Sequence, residues 1–579
     1  MQGSSSEKTS GSGAKIWTIM LAGCVIPLLL LLCCIVGVVG VYVVSPQTLE
    51  PVLAVLGFTA KAQAAQFAPD KAPLFFAMDV ELKQAVNFQR TWGLYEKNVQ
   101  AQTSLENFRK EFRNTFSCDF DADVASWWGP DAALFLTDEA NLNLQTTSTP
   151  RGGTTPTPTP NAVFALGARD TAKAQAALAK CVRKQTVKGD ETYKGNKVTL
   201  YSDGSAAAVV SKYVLVATTP TALHTAIDAQ RGDVKSLANH DAYKAMIARL
   251  PASRVATLYV QFAPWLTAAS RMQTGVQPQS LAQLEAYKGA GMSLAFEPNG
   301  ARMDFVATFD PAKLPQCQQQ LLTQMVNPNA ALKATPANAY LYSGGANLKS
   351  VWDCALTQLD ATAKKQMDDT FASLNKQMGV DVNADVLSWM TGEYALAVTP
   401  AQPISRGVPG VGILAMIEAK DQALINSKMT KIVGALGKQG LVAKDQNVQG
   451  VPMKVIALGA TTAPGTPAAG YGIVGNWFVL GGPLDALSAA VDAPKSPLAN
   501  DATFLAVQKI LPAKNAGYGY ANVTAIEKII AETLTGTERT NYLKDGQPWL
   551  KPIKAMGWAT ETGKADSVAG TFFLYMPGE

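Results

Sequence analysis

Histidine is almost missing from this chain of 579 residues: only His224 and His240 occur, 16 residues apart. That scarcity argues against a His-rich zinc site and against a duplicated Ser-His-Asp machine. Charge is sparse as well, at 16% Asp, Glu, Lys and Arg, and the formal net charge of +5 is spread along the chain without a basic cluster. A protein that tracks a phosphate backbone needs such a cluster, so nucleic-acid binding is not expected. The loops that cradle phosphates or expose a nucleophile are also lacking. Gly407-Val-Pro-Gly410-Val-Gly412 runs into an apparent strand without Walker spacing, and no Gly-x-Ser-x-Gly elbow occurs. Ser373-Leu-Asn-Lys376 has the Ser-x-x-Lys spacing of penicillin-binding enzymes but not their Ser-Asp-Asn and Lys-Thr-Gly elements.

Apolar residues, by contrast, are plentiful at 47%, which excludes a disordered chain. The length exceeds what one ordinary core supports, so two large domains are expected. Residues 16–44 carry no charge, and about 20 apolar residues suffice to cross a bilayer, so we read a transmembrane helix there. Leu21-Ala22-Gly23-Cys24 has the look of a lipoprotein cleavage box, yet most of the apolar run follows it instead of preceding it. A peptidase site around Ala60 to Gln63 would need a shorter apolar run, so an uncleaved signal anchor is the preferred reading. Lys8 and Lys15 precede the run and no positive residue returns until Lys61, which predicts a cytoplasmic N-terminus and an extracytoplasmic bulk. The expected layout is a disordered cytoplasmic tail over 1–15, the span over 16–44, a spacer over 45–69 and then an ectodomain. The Thr/Pro-rich stretch at about 146–160 reads as an insert of the kind found in exported stalks and flexible loops.

The ectodomain repeats itself. Asp119-Phe-Asp-Ala-Asp-Val-Ala-Ser-Trp127 recurs as Asp381-Val-Asn-Ala-Asp-Val-Leu-Ser-Trp389, an offset of 262, each followed by a glycine and an apolar run. Leu237-Ala-Asn239 returns as Leu498-Ala-Asn500 and Leu250-Pro-Ala252 as Leu511-Pro-Ala513, both 261 apart. Tyr193-Lys-Gly195 matches Val448-Gln-Gly450 in the same order. We therefore expect two tandem units, 70–330 and 331–579, neither histidine having a partner in the second. In the first unit, strands are expected at 74–78, 132–136, 163–166, 197–201, 207–210, 214–217, 256–262, 292–296 and 303–309. Helices are expected near 105–116, 171–183, 221–229, 241–250 and 281–287. The stripe Leu105, Phe108, Phe112, Phe116 and its counterpart Met367, Phe371, Leu374, Met378 read as core-facing helical faces. Strands that follow one another across short turns such as Pro298-Asn299-Gly300 favour antiparallel hairpins, hence an α+β fold of two similar sheet-plus-helix units.

The Asp-x-Asp/Asn-x-Asp-Val-x-Ser-Trp segment with its following glycine and strand, the N-terminal anchor and the alternating layout resemble a family of bacterial membrane-anchored proteins catalogued as domain of unknown function 3352. The resemblance implies a bacterial source and an extracytoplasmic location. It supplies no activity and no functional residue.

The acidic segments are the remaining candidates for chemistry. Asp119, Asp121 and Asp123, with Asp381, Asn383 and Asp385, have the alternate spacing that opens a calcium loop. An EF-hand also needs glycine at position 6 and glutamate at 12; Val124 and Pro130, or Val386 and Gly392, stand there instead. The plainer reading is that Asp123 and Asp385 cap short helices bearing Trp127 and Trp389. Of seven cysteines, Cys118, Cys181, Cys317 and Cys354 lie outside the apolar run; they allow three disulfide pairings or none, and sequence does not choose. No catalytic residue and no cofactor is assigned. The leading expectation is a non-enzymatic binding or scaffolding protein held in the membrane by residues 16–44, its protein or lipid partner unidentified. The alternatives are a hydrolase or cation-dependent enzyme using the acidic segments, and an apolar-ligand carrier.

Overall fold

The computed structural model describes residues 63–578 apart from 80–81, 96–98, 117, 139–159, 182–186, 272–284, 403–409 and 458–467. The expected span at 16–44, the tail before it and most of the Thr/Pro insert lie outside the described residues. Among the described residues no helix is long and apolar enough to cross a membrane.

Twenty strands among the described residues form one antiparallel sheet. They are β1 (Leu74–Asp79), β2 (Trp128–Leu136), β3 (Ala162–Ala168), β4 (Val187–Tyr193), β5 (Asn196–Tyr201), β6 (Ala206–Val210), β7 (Tyr213–Ala217), β8 (Ala256–Gln261), β9 (Tyr287–Glu297) and β10 (Gly300–Phe309). The second ten are β11 (Leu341–Ala346), β12 (Glu393–Pro400), β13 (Val411–Glu418), β14 (Ala443–Val448), β15 (Val451–Ala457), β16 (Ala468–Val474), β17 (Trp477–Gly482), β18 (Asn515–Asn522), β19 (Ala555–Glu561) and β20 (Ser567–Tyr575). In space the first ten run β4-β5-β6-β7-β3-β2-β1-β8-β9-β10. The second ten run β14-β15-β16-β17-β13-β12-β11-β18-β19-β20, the same order shifted by ten. The two runs join where β10 pairs with β20, from Gly300 opposite Tyr575 to Thr308 opposite Ser567. At the middle of that seam buried Thr571 donates its hydroxyl to buried Asp304 at 2.7 Å. The overall class is the α+β fold with a large antiparallel sheet expected from the hairpin turns.

Local chemistry repeats with the strand order. Lys194 and Gly195 both have positive φ and turn β4 into β5, and Gln449 and Gly450 do the same between β14 and β15. A two-residue turn with both φ positive matches the twist of a hairpin, and glycine adopts it without strain. The helices Thr171–Lys180 and Gln422–Lys438 are each capped by an aspartate, Asp170 or Asp421, accepting from the third backbone N–H.

Alternate residues of each strand feed two layers. Ala133, Phe135, Val163, Ala165 and Leu215 enter one core with the helix Pro220–Arg231, while Ala132, Val214 and Trp128 enter another on the opposite face. The second half divides likewise, with Leu414 and Val479 on one side and Ile417 and Phe478 on the other. This period-2 alternation is what a sheet covered on both faces requires.

Several expectations need correction. Ala64, Phe67 and Ala68, assigned to a spacer, are fully buried in the first core. Residues 281–287 were expected to be helical; 281–284 lie outside the described residues, and Tyr287 instead opens β9, paired with Phe309. β4 and the helices Leu82–Gly93 and Phe262–Arg271 were not anticipated. The stripe Met367, Phe371, Leu374, Met378 is not a core face: no residue of the helix Ala361–Met378 is buried, and Leu374 is 37% exposed. Phe371 instead stacks on Trp352 of the neighbouring helix Leu348–Thr357, at 6.3 Å between ring centres. In the first half the side chains of Leu105, Phe108 and Phe116 lie outside the described set, and Phe112 packs edge-on against Phe120 at 5.2 Å.

Candidate functional site

The two acidic segments form single π-helical turns, Phe120–Val124 and Val382–Leu387. Asp119 caps the first, accepting from Ala122 N at 3.1 Å, and Asp381 caps the second, accepting from Ala384 N at 2.8 Å. Asp123 and Asp385, expected to be the caps, supply the return arm: each accepts from the backbone N–H of its capping aspartate at 2.9 Å. The result is a reciprocal capping box built from two aspartates. The indole N–H groups of Trp127 and Trp389 donate to the carbonyls of Asp123 and Asp385, at 2.7 and 3.3 Å, which locks the turn to the core. Val124 and Leu387 are buried at the foot of the turns.

The remaining carboxylate oxygens meet cations of the protein itself. Asp119 pairs with Arg113, Asp121 with Arg109 at 2.9 Å and Asp123 with Lys180 at 2.6 Å. In the second half Asp385 holds Lys428 at 3.0 Å and Lys431 at 2.5 Å. Lys431 and the Asp381 N–H hold the Asp385 carboxyl well below the usual carboxylate range, and Lys180, followed by the Asp119 N–H, lowers Asp123. The Ala122 N–H, followed by Arg113, lowers Asp119. Asn383 is exposed. The carboxylates therefore point inward to their own turns and neighbouring helices, not into a shared cleft. Cys118, Asp123 and Cys181 bring donor atoms within 4.8 Å of one another, but both sulfurs are bonded to each other in a disulfide. The donor set left there is one carboxylate, whose two oxygens already hold Lys180 and the Asp119 N–H.

The cysteines resolve into Cys118–Cys181 and Cys317–Cys354, with Cα separations of 5.0 and 5.4 Å. The second bridge ties the helix Gln316–Gln324, which follows β10, to the helix Leu348–Thr357, which follows β11. It therefore crosses the boundary expected near residue 330.

A second acidic pair, Asp131 on β2 and Glu393 on β12, stands 262 residues apart on equivalent strands. Asp131 accepts from the Gln63 N–H and from the Tyr213 hydroxyl. Its counterpart Glu393 accepts from Ala330 N at 2.8 Å and Ala331 N at 2.9 Å. Burial raises both carboxyls against the lowering effect of these bonds. Both groups fasten a short 3-10 turn, Ala64–Gln66 or Ala330–Lys333, to the sheet.

Just beyond those turns the halves diverge. Leu237 N donates to Ala68 O, and Leu498 N to Thr335 O, each at 2.8 Å, so Phe67 and Ala334 occupy equivalent places. The register Val210–Tyr213 and Val474–Trp477 likewise equates Tyr213 with Trp477. In the first half Phe67 is fully buried and packs edge-on against Tyr213, with ring centres 4.9 Å apart. In the second half Ala334 leaves a cleft of about 300 Å³ beside Trp477, walled by Val474, Val479, Ala490 and Pro494. Lys333, Gly475 and Asn476 are exposed at its mouth. Sequence reasoning missed this cleft because Phe67 fell in the presumed spacer, and because the offset there, 267, departs from the 261–262 of the recognisable motifs.

No curated protein matches this chain. Among solved structures, crystal form IV of TP0453 aligns with a TM-score of 0.23 at 9% identity, covering 47% of this chain and 88% of that one. Crystal form III of TP0453 aligns with a TM-score of 0.23 at 8% identity, covering 46% and 87%. The family model described as "Protein of unknown function (DUF3352)" matches residues 26–576, nearly the whole chain, and the protein belongs to that family.

Proposed function

We propose that this chain is a single-pass, membrane-anchored extracytoplasmic protein whose two tandem α+β units make a non-enzymatic binding or scaffolding surface. The observation that carries the non-enzymatic part is the fate of the acidic segments: their carboxylates are engaged by backbone N–H groups, lysines and arginines that hold the fold. A hydrolase or cation-dependent enzyme built on them would need those oxygens aimed at a cleft. The extracytoplasmic part is supported by two disulfides, a bond that persists in oxidising compartments. The uncharged run 16–44 supports the anchor, and the family match, beginning at residue 26, takes in most of that run. A binding role is supported by apolar side chains on the sheet surface: Leu341, Leu396, Ile413 and Leu480 are 39%, 53%, 63% and 45% exposed on adjacent strands.

Topology reporters test the reading. A C-terminal alkaline phosphatase fusion in a bacterial host is expected to be active, with the protein retained in carbonate-washed membranes and released when residues 16–44 are deleted. A fusion active only as a cytoplasmic reporter would overturn it.

A further inference from the structure

We propose that the cleft beside Trp477 is a binding site for a small aromatic acid, a one- or two-ring apolar body carrying a carboxylate. The molecule itself shows what fits that place. At the equivalent position of the first half the ring of Phe67 packs against Tyr213, in the same buried core as Val210, Leu215 and Ala226, each at most 2% exposed. The second half keeps the scaffold, enlarges the aromatic wall from Tyr213 to Trp477 and removes the internal ring by placing Ala334 there. An enclosed apolar cavity of about 150 Å³ suffices for benzene, and this half-open cleft offers about 300 Å³, room for a fused bicycle with one edge left at the water boundary. Its walls, Val474, Val479, Ala490 and Pro494, offer a ring no polar side chain, and Trp477 offers an indole for edge or offset stacking.

The anionic end follows from the mouth. Lys333 lies there, exposed, where the first half has Gln66. An ammonium at the open end of an apolar slot favours a ligand whose ring enters first and whose negative charge stays at the water boundary. The site stands on the second half's own geometry and does not depend on the membrane topology proposed above.

The test uses the full-length chain in lipid nanodiscs with 2-naphthoate as probe, empty nanodiscs as background, and titration calorimetry as readout. Saturable binding of one probe per chain is expected. Ala334→Phe restores the first half's internal ring and should weaken binding by about tenfold or more, equivalent to losing the ring contact. Ala334→Leu, a smaller filling, should weaken it by a lesser factor, and each variant's thermal melt reports that it is folded. Lys333→Gln should weaken 2-naphthoate about threefold while leaving the neutral 2-naphthalenemethanol unchanged, whereas Gln66→Lys should change neither. No saturable binding to the wild type, or undiminished binding to folded Ala334→Phe, would overturn the proposal.

Discussion

The two halves of this molecule share a strand order and differ most in what they place behind the 3-10 turn that precedes their first strand. The first half closes the space with Phe67, Tyr213 and a carboxylate, Asp131, that receives the tyrosine hydroxyl. The second has Ala334, Trp477 and Glu393, whose two oxygens are both turned to the backbone of Ala330 and Ala331. Asp131 is thus divided between its turn and the tyrosine hydroxyl, whereas both oxygens of the longer Glu393 serve the turn alone. One framework thus tolerates a filled and an unfilled interior, because the backbone contacts that fix the turn are kept in both. The same contrast holds at the acidic turns: Asp123 has one lysine and 14% side-chain exposure, whereas Asp385 has two and 3%.

Substitutions can sharpen or break that comparison. Phe67→Ala should be the most costly, at about 3–5 kcal/mol in denaturant unfolding, since it empties a fully buried aromatic site. Its mirror, Ala334→Phe, should instead be neutral or stabilising by about 0.5–2 kcal/mol; a penalty comparable to that of Phe67→Ala would mean that the two places are not equivalent. Cys317→Ser with Cys354→Ser opens a bridge spanning 37 residues and should cost about 2–4 kcal/mol, read as a lowered thermal midpoint without change in strand content by circular dichroism. Asp385→Ala should cost about 2–3 kcal/mol and Asp123→Ala about 1 kcal/mol. A reversed order would show that exposure does not govern these pairs. The smallest contrast is Asp119→Ala against Asp381→Ala, expected to cost about 1 kcal/mol each, as the loss of one helix cap.

Acid titration separates the carboxylates by sign. The folded-state value of Asp385 is lowered, so its contribution is complete above the unfolded-state value of about 4 and is lost as pH falls through the folded value. Asp131 and Glu393 are raised by burial, so they oppose folding as they ionise with rising pH. Asp385→Asn should therefore flatten the fall in stability below about pH 4, measured as denaturant midpoint against pH.

The repeat, the hairpins and most first-half strands were legible because they rest on alternation and on turn chemistry such as Lys194-Gly195. What escaped did so for identifiable reasons. β4 is an outer strand with largely exposed positions and the sequence Val-Lys-Gly-Asp-Glu-Thr-Tyr, charged as an unprotected edge should be, so it carries no apolar alternation. The helix Leu82–Gly93 buries Gln84, Asn87 and Thr91 beside Ala85 and Phe88, which hides its stripe. Gln84 and Asn87 are inside because they serve the backbone N–H and carbonyl of Phe296 at 2.6 and 2.7 Å. β9 was read too short because Gly289 and Gly291 break its pattern; a Cβ at Gly291 would collide with the Met246 sulfur. At the candidate sites, the aspartates drew notice by their spacing, but spacing alone did not separate a capping pair from a ligand set. The cleft depends on what Ala334 lacks, and an alanine carries no signal of its own.

The β10–β20 seam has a consequence for how such a molecule can change over time. Following the ladder, Val306 and Phe573 are equivalent, and each pairs with the equivalent of the other's partner, Ala569 or Arg302. That is the isologous arrangement of a C2 dimer, with its local dyad passing between Asp304 and Thr571. In a true homodimer an aspartate on that axis would face its own copy and repel it. Joining the protomers in one polypeptide keeps them permanently associated and lets the axial position differ on its two sides, so that one acid meets one hydroxyl. Covalent linkage thereby frees each protomer to specialise, since no mutation has to be acceptable twice.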